Sequence, residues 1–252
     1  MESEQRIQEE QYAFPYHYIP RRDQSGFVQH VHWSWGFRYL GGMQVAMELC
    51  DAQAYGSLLD LGCGDGRFLR EVSIRKPDAE LLGVDYSKRA IAMAKSLNPN
   101  LSYQAADVLI DNLEGRRFDV VTLIEVIEHI PPEYLEAFIS KAVSFIRPGG
   151  RLVLTVPHKN ARVNDKHFQH FDAAMLRGIL DPHLDNLEFR SFDHSSRMLS
   201  IWFRFLGRTG KYFLITWKPL MDSFYRYYVK ACLSHGDESN CMRIACVGHK
   251  PL

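Results

Sequence analysis

The segment Leu58–Leu69, LLDLGCGDGRFL, joins an apolar run to three closely spaced glycines. The apolar run ends on Asp60, and the glycines follow at alternate positions. Glycine adopts positive φ readily and lets the backbone approach a ligand, so this pattern predicts a strand, a tight loop and a helix. A second apolar run ends on Asp85, at about the 20-residue distance from Gly66 that ribose-binding carboxylates have in nucleotide-binding folds.

The glycine spacing in this loop is G-x-G-x-G, at Gly62, Gly64 and Gly66. Dinucleotide-binding loops instead carry G-x-G-x-x-G and hold a pyrophosphate at a helix N-terminus. The shorter spacing beside Asp60 predicts an adenosine ligand without a pyrophosphate, and S-adenosylmethionine is the natural candidate. A tight turn with no ligand is the alternative, but the acidic residues in register with the glycines favour a ligand.

Three further segments follow in a fixed order: Ala106–Asp107, the apolar run Phe118–Val121 and the turn Arg147–Gly150. With the glycine loop and Asp85, they resemble the class I S-adenosylmethionine-dependent methyltransferases over about residues 57–157. The resemblance implies an α/β fold: a Rossmann-like, doubly wound, mostly parallel sheet of seven strands whose last strand is antiparallel. The alternation of strands and helices independently predicts a parallel sheet covered on both faces.

The apolar periodicity places the elements along the chain. It predicts strands at 57–60, 81–85, 101–104, 118–124 and 152–156, and a final edge strand at 242–250. It predicts helices at 33–50, 66–76, 87–95 and 132–145, with Ser87 as an N-cap. We expect an N-terminal arm and helix at 1–50, serving as a lid or cap, and a methyltransferase domain at 51–252 with a substrate-side cap insertion at about 160–235.

The resemblance also implies a cofactor-binding set. Asp85 would bind the ribose hydroxyls, Asp107 the adenine amino group, and the loop Gly62–Gly66 would pass under the methionine portion and the ribose. The cofactor-binding residues that it implies are Asp60, Gly62, Gly64, Gly66, Asp85, Tyr86, Asp107 and Glu125.

Ionisable side chains follow the fourth predicted strand, in the sequence EVIEHIPP that begins at Glu125. Ligands of open α/β sheets bind at the carboxyl ends of the strands, so these side chains are predicted to face the methyl donor. An alcohol is a poor nucleophile until it loses its proton, so a base would assist transfer to oxygen. The candidate catalytic bases are His129, His167 and His170.

The pattern E-x-x-E-H with a later histidine is similar to the metal site of small-RNA 3′-terminal ribose 2′-O-methyltransferases. Carried over, the ligands of Mg²⁺ or Mn²⁺ would be Glu125, Glu128, His129 and His167. The same pattern also resembles O-methyltransferases of ubiquinone and glycan pathways, which does not fix a metal. In a third interpretation Glu125 contacts the cofactor, His129 bonds a helix start, and the two later histidines pack a loop.

Composition limits the partners of the chain. Thirty basic and thirty acidic residues give a formal net charge of zero, which does not favour a nucleic acid. The five cysteines lack C-x-x-C spacing, which disfavours a zinc site or a disulfide framework. The segment Met1–Glu10 is charged and has no apolar core, so we expect a cytoplasmic protein.

Two aromatic, apolar segments at about 198–207 and 212–220 are interleaved with Arg and Lys. They suit a substrate cap, a homodimer face or peripheral contact with a bilayer. The predicted function is O-methylation of a small-molecule, sugar or lipid-linked acceptor. The alternatives are metal-dependent 2′-O-methylation of an RNA 3′ end and a non-catalytic binding subunit with this fold.

Overall fold

Seven strands form one sheet in the computed structural model, which describes residues 21–23, 26–28, 33–111, 113–163, 165–206, 217–234 and 236–252. A separate hairpin pairs β1 (Arg21–Asp23) with β2 (Gly26–Val28). The strands of the sheet are β3 (Ser57–Leu61), β4 (Glu80–Asp85), β5 (Ser102–Ala105), β6 (Phe118–Ile124), β7 (Ile146–Pro157), β8 (Asp185–His194) and β9 (Cys241–His249).

The strand order across the sheet is β5-β4-β3-β6-β7-β9-β8. Strands β3 to β7 pair in parallel, and β9 is antiparallel to both of its neighbours, β7 and β8. This topology confirms the predicted fold: a mostly parallel sheet of seven strands whose last strand is antiparallel.

Two details of the sheet differ from the sequence-based prediction. The last strand was expected at an edge, but it lies between β7 and β8, and β8 is the edge. Strand β8 falls inside the range predicted as a substrate-side insertion. Its sequence, DNLEFRSFDH, is largely polar, which fits an edge strand that is partly exposed. The predicted turn Arg147–Gly150 lies within β7, where the pairing with β6 shifts register and Gly149 has φ 75°.

Seven helices are described, and four of them match predicted helices closely. They are α1 (Trp33–Asp51), α2 (Arg67–Arg75), α3 (Lys88–Leu97), α4 (Pro132–Ser144), α5 (Ala173–Leu180), α6 (Arg197–Leu206) and α7 (Lys218–Cys232). The Ser87 hydroxyl accepts a hydrogen bond from the Ala90 amide, which confirms the predicted N-cap of α3.

The helices cover both faces of the sheet. Alternate strand residues such as Leu58 and Val120 pack with α1, α2 and α3 on one face. Their neighbours Leu59 and Val121 pack with α4 and α5 on the other face. Because successive strand residues point to opposite faces, two apolar layers result, and the sheet is doubly wound.

A third apolar cluster joins α1 to the C-terminal helices. Phe37 of α1, Phe192 of β8, Leu199 of α6 and Tyr228 of α7 are buried together in it. Residues 1–20 of the N-terminal arm predicted at 1–50, and the segment 207–216, lie outside the described residues. Within the described part of the chain, no helix is both long and apolar enough to cross a membrane.

Alanine at Gly62 is expected to destabilise the fold, whereas alanine at Gly178 is expected to stabilise it. Gly62 has φ 77°, and an added Cβ would lie 2.5 Å from Val126 Cγ2. Gly178 is in α5, where an added Cβ would meet nothing within 4 Å. In urea unfolding, Gly62→Ala should lower the free energy of unfolding by about 2–4 kcal/mol. Gly178→Ala should raise it by about 0.5–1 kcal/mol. Equal effects of the two substitutions would contradict the role of the loop backbone.

Candidate functional site

The glycine-rich loop folds back across the end of β4. The amides of Gly62 and Cys63 both donate to the Val84 carbonyl, at 2.7 and 3.1 Å. Gly62, Gly64 and Gly66 all have positive φ, at 77°, 53° and 77°. These angles, which other residues adopt only at a cost, turn the chain over the tip of the sheet before α2 begins.

The Asp85 carboxylate holds this loop from the adjacent strand. Its Oδ2 accepts a hydrogen bond from the Gly64 amide at 2.9 Å, and its Oδ1 accepts one from the Ser87 amide at 2.9 Å. Asp85 is buried at the C-terminal end of β4. The residue predicted to bind ribose therefore lies between the loop and the start of α3.

Two other predicted cofactor residues, Asp60 and Asp107, lie in different environments. Asp60 is buried in β3 and accepts a hydrogen bond from the Thr122 hydroxyl of β6 at 2.7 Å. Burial raises the pKa of this carboxyl to about 7. Asp107 is exposed after β5, and its Oδ1 accepts from the Leu109 amide at 3.0 Å. Tyr86 is exposed directly after β4.

Glu125, which follows β6, is anchored by neighbouring strands. Its φ is 55°, its amide donates to the Thr155 carbonyl at 2.8 Å, and its Oε1 accepts from the Thr155 hydroxyl at 3.0 Å. Arg243 Nη2 of β9 pairs with the same Oε1 at 2.9 Å. Arg243 was not among the predicted site residues; its signal is an arginine within a mostly apolar strand, where a partly buried cation favours a carboxylate partner.

Glu128 is the most deeply buried ionisable residue of this region. It is fully buried, and among the described residues neither carboxylate oxygen has a hydrogen-bond partner. Burial raises its pKa well above the usual range, and the charge of Glu125 adds to the effect. One ligand atom each from Glu128, His129 and His167 lies within 4.8 Å of the others. Glu125, the fourth predicted ligand, is outside this group.

Hydrogen bonds fix the orientation of the imidazoles. His129 Nδ1 lies 2.8 Å from the Lys166 carbonyl oxygen and must donate to it. His170 Nδ1 likewise donates to the Ala161 carbonyl at 3.0 Å, so in the neutral ring its Nε2 accepts from His167 Nδ1 at 2.8 Å. This assignment makes Nε2 the acceptor nitrogen of both His129 and His167.

Burial keeps the two imidazoles of the group uncharged. It lowers the pKa of His129 to about 4 and that of His167 to about 3. Their rings lie edge to face, 4.8 Å apart. We call residues 165–171, which include His167 and His170, the histidine loop. The Phe168 amide donates to the Glu128 carbonyl at 2.9 Å, which holds this loop against the turn after β6.

The structure thus brings together Glu128, His129 and His167, while buried His170 supports His167 from behind. His129 bonds the carbonyl of Lys166 in the histidine loop. A buried carboxyl beside two imidazoles that each present an unprotonated nitrogen can take a proton from a substrate hydroxyl or hold a divalent ion.

Comparison with known proteins gives one family over most of the chain. A family model described as a methyltransferase domain matches residues 38–197. The ubiquinone biosynthesis O-methyltransferase of Coxiella burnetii is 34% identical over 107 residues, which cover 41% of this chain and 44% of that protein. The chloroplastic tocopherol O-methyltransferase of Arabidopsis thaliana is 33% identical over 129 residues, which cover 48% of this chain and 36% of that protein. The matches span less than half of either relative.

Solved structures share the fold at low sequence identity. A SAM-dependent methyltransferase from Archaeoglobus fulgidus superposes with a TM-score of 0.59 at 17% identity, covering 84% of this chain and 94% of that one. The N-methyltransferase NodS from Bradyrhizobium japonicum WM9, in complex with S-adenosyl-L-homocysteine, superposes with a TM-score of 0.57 at 17% identity. The superposition covers 86% of this chain and 88% of that one.

Proposed function

We propose that this chain, which belongs to the class I S-adenosylmethionine-dependent methyltransferases, methylates an oxygen atom of a small-molecule, sugar or lipid-linked acceptor. The observation that carries the choice of oxygen is the group of Glu128, His129 and His167, which gathers one carboxyl and two imidazoles after the C-terminal ends of β6 and β7. When bound, S-adenosylmethionine supplies a sulfonium methyl group that an acceptor oxygen can displace.

The tips of β3 and β4 support a nucleoside site. A carboxylate has about four acceptor positions, so Asp85 can hold the amides of Gly64 and Ser87 and also accept from ribose hydroxyls. The glycines present backbone without side chains next to it. Asp107 and Tyr86, exposed at the ends of the neighbouring strands, would border the adenine.

Replacing Asp85 with alanine should weaken binding of S-adenosylmethionine by about 1.5–3 kcal/mol, because hydrogen bonds to a charged acceptor are lost. Calorimetric titration measures the affinity, and thermal unfolding checks that the loop remains folded. Asp78→Ala, at an exposed position, is the matched control and should bind normally. Normal affinity in Asp85→Ala would contradict the ribose assignment.

The acceptor side supports proton removal from a hydroxyl. His129 is fixed by the Lys166 carbonyl, so Nε2 is the nitrogen that can take a proton. The Glu128 carboxyl lies with Oε1 3.9 Å from that nitrogen, and in its ionised form, which its raised pKa shifts to higher pH, it can stabilise the imidazolium that forms. An amine acceptor needs only a free lone pair, so this arrangement favours oxygen over nitrogen.

His129→Gln should lower turnover by about 10²–10⁴-fold, the usual contribution of a general base, while affinity for S-adenosylmethionine stays near normal. The assay measures S-adenosylhomocysteine release with a panel of acceptors of similar size that carry a phenol, a sugar hydroxyl or an amine. His183→Gln is the control, because His183 pairs with Glu136 on α4 rather than with the site. Turnover with amines alone, or unchanged turnover in His129→Gln, would overturn oxygen methylation assisted by His129.

A second candidate function is metal-assisted methylation of the 2′-oxygen at an RNA 3′ end, which the same three-residue group favours. The donors fit a divalent ion: Glu128 has two oxygens without hydrogen-bond partners among the described residues, and both imidazoles are held with Nε2 as acceptor. Two imidazoles and one carboxylate suit Mn²⁺ better than Mg²⁺. A bound ion would supply positive charge that stabilises an acceptor alkoxide.

Calorimetric titration of chelator-treated protein with Mn²⁺ separates the two candidates. Saturable binding that Glu128→Gln abolishes and the exposed control Glu136→Gln preserves would support the metal-assisted reaction and direct substrate tests to RNA ends. Full turnover of a small acceptor in excess chelator would exclude a required metal and leave His129 as the base.

A further inference from the structure

The outer side of α6 exposes large apolar side chains. Met198, Ile201 and Trp202 are 40%, 56% and 42% exposed, and they recur at the three- and four-residue spacing that places side chains on one helix face. Leu199 and Phe203, on the opposite side, pack into the cluster shared with α1 and α7. The helix is therefore apolar on a face that has no core to cover it among the described residues.

The neighbouring helix α7 extends this exposed surface. The Trp202 ring lies 5.3 Å from the Phe224 ring of α7, so the two helices contact each other. Trp217, directly before α7, is 65% exposed, and Tyr227 is also exposed. We call the exposed side chains of Met198, Ile201, Trp202, Trp217 and Tyr227 the α6–α7 surface.

The segment that carries this surface is strongly basic. Between residues 197 and 230 the only acidic residue is Asp222, while the basic residues are Arg197, Arg204, Arg208, Lys211, Lys218, Arg226 and Lys230. The whole chain has no net charge, so the remainder of the protein is correspondingly acidic. Arg197, Arg226 and Lys230 are exposed in the structure.

We propose that the α6–α7 surface binds the surface of an anionic phospholipid bilayer. Trp and Tyr rings lie favourably at the boundary between headgroups and acyl chains, and basic side chains next to them attract anionic headgroups. A symmetric dimer through this face would place two basic segments against each other, which costs electrostatic energy. Charge complementarity therefore selects an anionic lipid surface as the occupant, independently of the acceptor proposed above.

Co-sedimentation of the full chain with vesicles tests this proposal. Two kinds of vesicle are compared. One is pure phosphatidylcholine, and the other also contains about 30 mol% phosphatidylglycerol, an anionic fraction that attracts basic segments. The apolar variant is Met198→Gln with Ile201→Gln. Its matched control is Ile74→Gln with Leu97→Gln, two apolar residues that are 64% and 60% exposed on α2 and α3.

A second pair of variants tests the charge. Arg226→Gln with Lys230→Gln removes two exposed cations from α7, and Lys88→Gln with Lys95→Gln removes two exposed cations from α3. One basic residue near an anionic surface contributes about fivefold to partitioning, so the α7 variant should lose at least that factor. The α3 control should bind like the unchanged protein.

The proposal requires binding to the anionic vesicles that weakens at higher salt, and at least fivefold weaker binding in both α6–α7 variants. Circular dichroism verifies folding; if the apolar variant is unfolded, the α7 charge variant decides. Equal binding to neutral and anionic vesicles, no vesicle binding, or unchanged binding of the folded variants would overturn the proposal. A dimer in solution that the apolar variant dissociates, without vesicle binding, would assign the surface to a second copy instead.

Discussion

Two contacts of the glycine loop organise the candidate site: backbone hydrogen bonds to the end of β4, and the packing of Val126 against Gly62. The amides of Gly62 and Cys63 reach the Val84 carbonyl, so the loop lies across the tip of the sheet. Because Gly62 has no side chain, Val126 packs against the loop where a Cβ would otherwise lie. Val126 lies between Glu125 and Glu128 in the chain, so this contact holds the turn after β6 against the glycine loop. The relative position of these two segments is therefore set by backbone packing.

The turn after β6 depends on a partly buried ion pair formed by distant parts of the chain. Glu125 adopts a positive φ, which costs a non-glycine residue on the order of 1–2 kcal/mol. Its pair with Arg243 and its hydrogen bonds with Thr155 offset this strain. Arg243 also donates to the Arg38 carbonyl of α1, and the missing side chain at Gly42 leaves room for the guanidinium. The orientation of the turn after β6 is thus connected to β7, β9 and α1.

Local pattern was sufficient for the elements nearest the glycine loop and insufficient for the far side of the sheet. The loop, the cap at Ser87 and strands β3, β4 and β6 have strong local signals, because buried parallel strands are continuously apolar. Strand β8 is largely polar and only partly buried, so its pairing depends on β9, which is about fifty residues away. The residues Glu125, Glu128, His129 and His167 show the same contrast. Their positions after β6 and β7 follow from the sequence, but the orientation of the imidazoles and the pairing of Glu125 with Arg243 depend on tertiary contacts.

The position of β9 between β7 and β8 has a consequence for how the protein folds during synthesis. Strand β8 emerges from the ribosome well before β9, yet β9 is its sole neighbour in the sheet. Until β9 arrives, β8, α6 and α7 have no completed sheet edge to dock on, and the free edge of β7 is open to pairing with other chains. The half of the sheet that holds the glycine loop can form first from local parallel units. The nascent chain would therefore complete the glycine loop before the strand that carries Arg243 organises the turn at Glu125.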